Sequence, residues 1–165
     1  MRNFSKADES HLQAAVGWLE LGNWKEANEE LENIEPAQRA HPDVLKIRVK
    51  IYVAAGKWNY VATLAESLTT MLPDSSFGPL HHAHAYKELK RQDEAKRILA
   101  EAVERFPGDW RVNYALACAY GRFGERALAL RYLEAAIDQA GQIDIRLIAL
   151  EDPDLQSVWT DISEI

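Results

Sequence analysis

Three histidines within four residues are the first candidates for chemistry in this chain: His81, His82 and His84. His81 and His84 are three apart, so on a helix they share a face. Cys118, the only cysteine among 165 residues, follows His84 by 34 positions. Imidazole nitrogen and thiolate sulfur are ligands that zinc favours, which makes His81, His84 and Cys118 a candidate metal set. The plainer expectation is that the histidines are polar lining and that Cys118 packs as a small apolar residue. Catalysis finds less support. No serine sits in a nucleophile elbow. Gly121-Arg122-Phe123-Gly124 is neither a phosphate loop nor a dinucleotide fingerprint, because a helical stretch and not a strand precedes it. Paired acids such as Glu29-Glu30 read as the solvated side of a helix. The expectation is a protein that is not an enzyme and holds no cofactor and no metal.

Charge narrows the partners. The formal net charge is −7 and the isoelectric point about 5.2, which disfavours nucleic acid, since phosphate contacts need a basic surface. The charge is unevenly spread. Residues 1–45 carry four basic and nine acidic side chains, residues 46–131 fourteen and nine, and residues 132–165 one and eight. The ends are acidic and the middle is basic. A lone cysteine allows no intrachain disulfide and no cysteine zinc cluster. Met1–Ser10 lacks the apolar core of a secretory signal, and no run approaches the roughly 20 apolar residues of a membrane span. These features predict a cytoplasmic protein with neither a membrane nor a nucleic-acid partner.

The elements that position any of these residues are set by a repeat. Gly22-Asn23-Trp24 is echoed by Gly56-Lys57-Trp58, 34 residues on, and two further steps land on Lys90 and Gly124. Dividing the chain at 8–41, 42–75, 76–109 and 110–143 aligns other columns. Ala15, Val49, Ala83 and Ala117 fall together, as do the rings of Trp18, Tyr52, Tyr86 and Tyr120. So do Ala27, Val61, Ala95 and Ala129, then Leu31, Ala65, Leu99 and Leu133, then Ile34, Leu68, Ala102 and Ala136. Small residues let helices close and large ones fill the remaining gap, which is what stacked helical hairpins require. A 34-residue period of helix–turn–helix units resembles the tetratricopeptide repeat family. The chain departs from the family pattern in places: the fourth repeat position is never tryptophan, the eighth is never glycine, Lys90 stands where the turn glycine is expected, and Arg39 where a proline usually stops the second helix.

The resemblance implies an all-α fold, a right-handed superhelical solenoid of four helix–turn–helix repeats forming a single domain over 1–165. Past Gly141 the period ends. Residues 144–165 are read as a C-terminal cap, with Asp152 and Pro153 opening a short helix that carries Val158 and Trp159. Such a cap shields the apolar end of a stack. The string from Ala149 to Leu155 is similar to the segment that closes many bacterial members of the family.

The resemblance also implies a concave groove lined by the first helix of each repeat. It places Lys46, Lys50, Phe77, Leu80, His84, Lys87, Arg111, Tyr114 and Arg122 on that face. A basic strip with apolar anchors suits an acidic or carboxylate-ended protein segment. The expected function is therefore a protein-interaction scaffold, monomeric or weakly self-associating. The alternatives are a self-assembly module, whose acidic ends and basic middle pair between copies, and a metal protein built on His81, His84 and Cys118.

Overall fold

The computed structural model describes residues 4–162; residues 1–3 and 163–165, the latter the end of the expected cap, lie outside the described residues. Among the described residues there are ten α-helices, two short 3-10 turns and no strand. The helices are α1 (Lys6–Glu20), α2 (Trp24–Asn33), α3 (Pro42–Ala54), α4 (Trp58–Met71) and α5 (Phe77–Glu88). Then come α6 (Gln92–Arg105), α7 (Trp110–Arg122), α8 (Arg126–Gln139), α9 (Ile145–Glu151) and α10 (Trp159–Ile162). The chain falls into two compact units, residues 1–85 and 86–165, with the division inside α5.

The predicted small and aliphatic columns are buried, and the aromatic column of Trp18, Tyr52, Tyr86 and Tyr120 is half-buried. Ala15, Val49, Ala83 and Ala117 are all at most 3% exposed. The paired columns on α2, α4, α6 and α8 are equally enclosed, from Ala27, Leu31 and Ile34 through to Ala129, Leu133 and Ala136. In the first unit α1 packs on α2 and α3, and α3 on α4. Its core gathers Ala15, Ala27, Leu31, Ile34, Val44 and Ile51, sealed by Trp18, Trp24 and Tyr52. In the second unit α7 packs on α6 and α8.

One turn device recurs in every hairpin. The backbone N–H after the turn residue donates to the carbonyl of the column aromatic: Asn23 to Trp18, Lys57 to Tyr52, Arg91 to Tyr86 and Glu125 to Tyr120, at 2.8–3.0 Å. That closure needs a left-handed residue between. Gly22, Gly56 and Gly124 supply it, and so does Lys90 with φ of 63°. Lysine thus fills the glycine position without changing the turn.

Arg39 also has an account. Pro36 ends α2 early and starts a 3-10 turn, and the Arg39 guanidinium reaches back to the freed carbonyl of Ile34 at 2.9 Å. It also contacts the carbonyl and carboxylate of Glu32. A side chain here satisfies the helix end that a proline would otherwise have finished. At the other end of the hairpin Ser5 caps α1, accepting from Asp8 N–H at 3.1 Å. The buried Asp8 carboxylate accepts from Glu35 N–H at 2.9 Å, tying the start of α1 to the end of α2.

Candidate interaction surface

In the second unit the groove-facing side of α7 is not open. The chain turns at Gly141, runs through α9, and lays residues 152–162 across α7 and α8. Asp152 caps the 3-10 turn by accepting from Asp154 N–H at 3.0 Å, with Pro153 in its first position. The turn that results aims both carboxylates at α7. Asp152 accepts from the Tyr114 hydroxyl at 2.9 Å and from the Cys118 thiol at 3.4 Å. Asp154 accepts from Lys87 Nζ at 2.6 Å and from Arg122 Nε at 3.0 Å.

Apolar contacts complete the seat. Leu155, Val158 and Ile162 are buried among Ala117, Ala129 and Leu133. The Trp159 indole donates to the carbonyl of Ala149 at 3.0 Å, and Ser157 to that of Gly121 at 3.1 Å. Arg126 pairs with Asp161 at 2.6 Å. Gly121 is required by this approach: a Cβ there would lie 2.4 Å from the carbonyl oxygen of Asp154.

Electrostatics follow from the geometry. Burial alone would push the Asp154 carboxyl up, but hydrogen bonds from Arg122 and Lys87 outweigh it and hold the group below the usual carboxylate value. Burial first, and then the neighbouring Cys118 and Asp152, push the Tyr114 phenol up, so it stays protonated and donates. Burial and then Asp152 likewise push the Cys118 thiol up. A protonated, enclosed thiol is neither a nucleophile nor a ready ligand.

The predicted groove residues thus separate into groups. Lys87, Tyr114 and Arg122 come together around the chain's own acids. Arg111 turns away to Asp109, at 2.9 Å. In the first unit Phe77 stacks on His81 with centroids 3.9 Å apart, and His84 lies against Trp58 at 5.2 Å. Leu80 is half-buried, Lys50 is exposed, and Lys46 lies 3.5 Å from Asp43. The His81 Nδ1–H donates to the Phe77 carbonyl at 2.9 Å. Burial pulls the His81 pKa down despite that carbonyl, so the ring is neutral near pH 7. Among the described residues no group of three His, Cys, Asp or Glu is placed to hold a metal. His84 belongs to the first unit and Cys118 to the second.

Between α1 and α3 the first unit does keep an open place. Leu12, Val16 and Ile47 line an apolar hollow of about 370 Å³, with Gln13 and Asp43 at its rim. Sequence reasoning missed this hollow as a feature. It also missed Asp152, Asp154 and Gly121. Two acids flanking a proline in a tail of eight acidic side chains and one basic, C-terminal to a basic stretch, were the available signal.

The architecture defines a class: antiparallel helical hairpins repeated every 34 residues, a repeat scaffold. The tetratricopeptide repeat family matches residues 80–109. Solved structures share the fold along nearly the whole chain. A thermophilic tetratricopeptide protein of Thermus thermophilus, TTC0263, superposes with a TM-score of 0.74 at 18% identity, covering 96% of this chain and 100% of that one. MamA residues 41 to the end, from Desulfovibrio magneticus RS-1, give 0.69 at 15% identity, covering 98% and 96%. MamA AMB-1 gives 0.62 at 19% identity, covering 95% and 88%. No curated protein matches the sequence. The match to the tetratricopeptide repeat is thus confined to residues 80–109, while the fold is shared along nearly the whole chain. None of the helices described is long and apolar enough to cross a membrane.

Proposed function

We propose that this chain is a non-catalytic docking scaffold that holds a segment of a partner protein on the groove side of α1 and α3, with Phe77, Leu80 and His84 on the same face of the repeat pattern. The partner segment is acidic with an apolar anchor. One observation carries the reading: the chain's own tail is such a segment. Asp152 meets the Tyr114 hydroxyl on α7, and Asp154 meets Lys87 at the end of α5 and Arg122 on α7, while Leu155 enters the core. The α1–α3 side offers the same two kinds of contact. Its hollow takes an apolar side chain, and exposed Lys50 with half-exposed Lys46 stands ready for carboxylates. The basic residues Lys87 and Arg122 are left out of this role because both already pair with Asp154.

The test is the double charge reversal Lys46→Glu with Lys50→Glu. Both side chains lie on the surface, so the helical signal and melting stay near wild type, within the roughly ±0.5 kcal/mol usual for surface changes. Capture of the partner that the wild type retains drops by at least tenfold. Retention equal to wild type removes the α3 face from the function.

A further inference from the structure

The capping elements of a repeat stack normally show solvent a polar outer side. Here α9, the first helix of the cap, does the opposite. Ile145 and Ala149 face the core, while Leu147 is 62% exposed, Ile148 44% and Leu150 44%. Ile143, just before the helix, is 45% exposed. Asp144 and Glu151 are exposed at its two ends. The result is an apolar ridge bounded by acids, on a tail whose 34 residues carry eight acidic side chains and one basic, Arg146. The hollow of the first unit is the converse: an apolar depression on α1 and α3, with Val16 itself 39% exposed. Lys46 and Lys50 lie along the same helix as Ile47. Asp43 is the one acid among the described residues that line the hollow, and it lies within 3.5 Å of Lys46.

We infer that the α9 ridge of one copy of this chain seats in the α1–α3 hollow of a second copy, with Leu147 as the knob and Glu151 turned toward Lys46 and Lys50. This rests on the docking reading of the α1–α3 face and specifies its occupant. Ridge against ridge is disfavoured because it brings two acidic tails together, whereas the hollow side supplies lysines. The contact joins two different surfaces, the ridge of one copy and the hollow of the other. Association therefore rises with concentration, and it weakens with salt.

Light scattering behind size-exclusion chromatography tests this with two variants, Val16→Glu and Leu147→Glu. Both replace exposed side chains, and an unchanged circular-dichroism melt checks the fold. Wild-type mass increases with protein concentration, and each variant alone stays monomeric. A one-to-one mixture of the two gives a dimer and nothing larger, because Val16→Glu retains a ridge and Leu147→Glu retains a hollow. A wild type that is monomeric at every concentration overturns the inference. So does a Val16→Glu protein that associates by itself, which signals ridge-on-ridge pairing, or a mixture that remains monomeric. A monomeric wild type whose partner capture is still lost on reversing Lys46 and Lys50 refutes the second copy as occupant and leaves the docking face standing.

Discussion

Replacing Asp154 with alanine probes the tail seat at its most charged point. The carboxylate is 16% exposed and holds two cations, Arg122 at 20% and Lys87 at 41%. Exposed pairs contribute about 0–1 kcal/mol, while breaking a buried pair costs about 3–5 kcal/mol because a charge is left stranded. Arg122 is enclosed enough to feel that penalty, whereas Lys87 is exposed enough to recover water. The loss falls between these limits, at about 2–3 kcal/mol. At about 2–4 °C per kcal/mol for a chain of this length, Tm drops by about 5–10 °C. The pH dependence has a definite sign. The folded carboxyl is held below its ordinary value by Arg122 and Lys87 against the opposing effect of burial. Its stabilisation is therefore complete well above the unfolded value of about 3.9 and disappears as pH falls through the lower folded value. The gap between wild type and Asp154→Ala is constant from about pH 8 to pH 5 and closes below that. Calorimetry of both proteins across this range measures it, and the difference cancels the titration of Asp8, Glu32 and Glu94, which the two share. A double-mutant cycle with Arg122→Met isolates the pair and returns a coupling of about 1 kcal/mol or more. A variant that melts within about 1 °C of wild type at pH 7, or a gap that widens on acidification, refutes the reasoning.

Two glycine positions should respond in opposite directions. Gly121→Ala sets a Cβ 2.4 Å from a backbone oxygen of the tail, and the displacement costs about 1–3 kcal/mol. Gly17→Ala, in α1 with nothing within 4 Å of the new Cβ, gains about 0.5–1 kcal/mol from helix propensity. Thermal melts of the two decide it, and equal signs would place the tail elsewhere. Lys90→Gly relieves a left-handed lysine and raises stability by up to about 1 kcal/mol, and an unchanged or lowered urea midpoint would count against strain there.

The sequence carried the hairpins because a helical repeat stack repeats its contacts at a fixed interval. Ala15 and Trp18 do in the first hairpin what Ala117 and Tyr120 do in the fourth, so one alignment of the chain on itself reads the core positions that recur in every hairpin. Even the departures were local: Lys90 keeps the turn of Gly22, and Arg39 satisfies carbonyls at the end of α2. The tail was harder for a physical reason. Asp154 meets Lys87 from 67 positions away, and no periodicity links them. Repeat position alone told which side of α7 Tyr114 and Arg122 face, but not what would come to lie there. The same basic middle and acidic end that predicted an external acidic partner are, in the second unit, two sides of one internal contact.

That difference changes how charge should be read in a repeat protein. A basic strip is evidence for a ligand only after the chain's own acids have been placed. In the second unit Asp152, Asp154 and Asp161 occupy Tyr114, Lys87, Arg122 and Arg126, and the strip is spent. In the first unit Lys50 stays exposed, and among the described residues no side chain fills the hollow beside Ile47. On the proposed docking reading, the acidic, leucine-bearing shape of the docked tail is the pattern of what such a face accepts. On the same proposed reading, mutating Lys87 or Arg122 perturbs folding and mutating Lys46 or Lys50 perturbs binding, so the two halves of one predicted strip separate by assay.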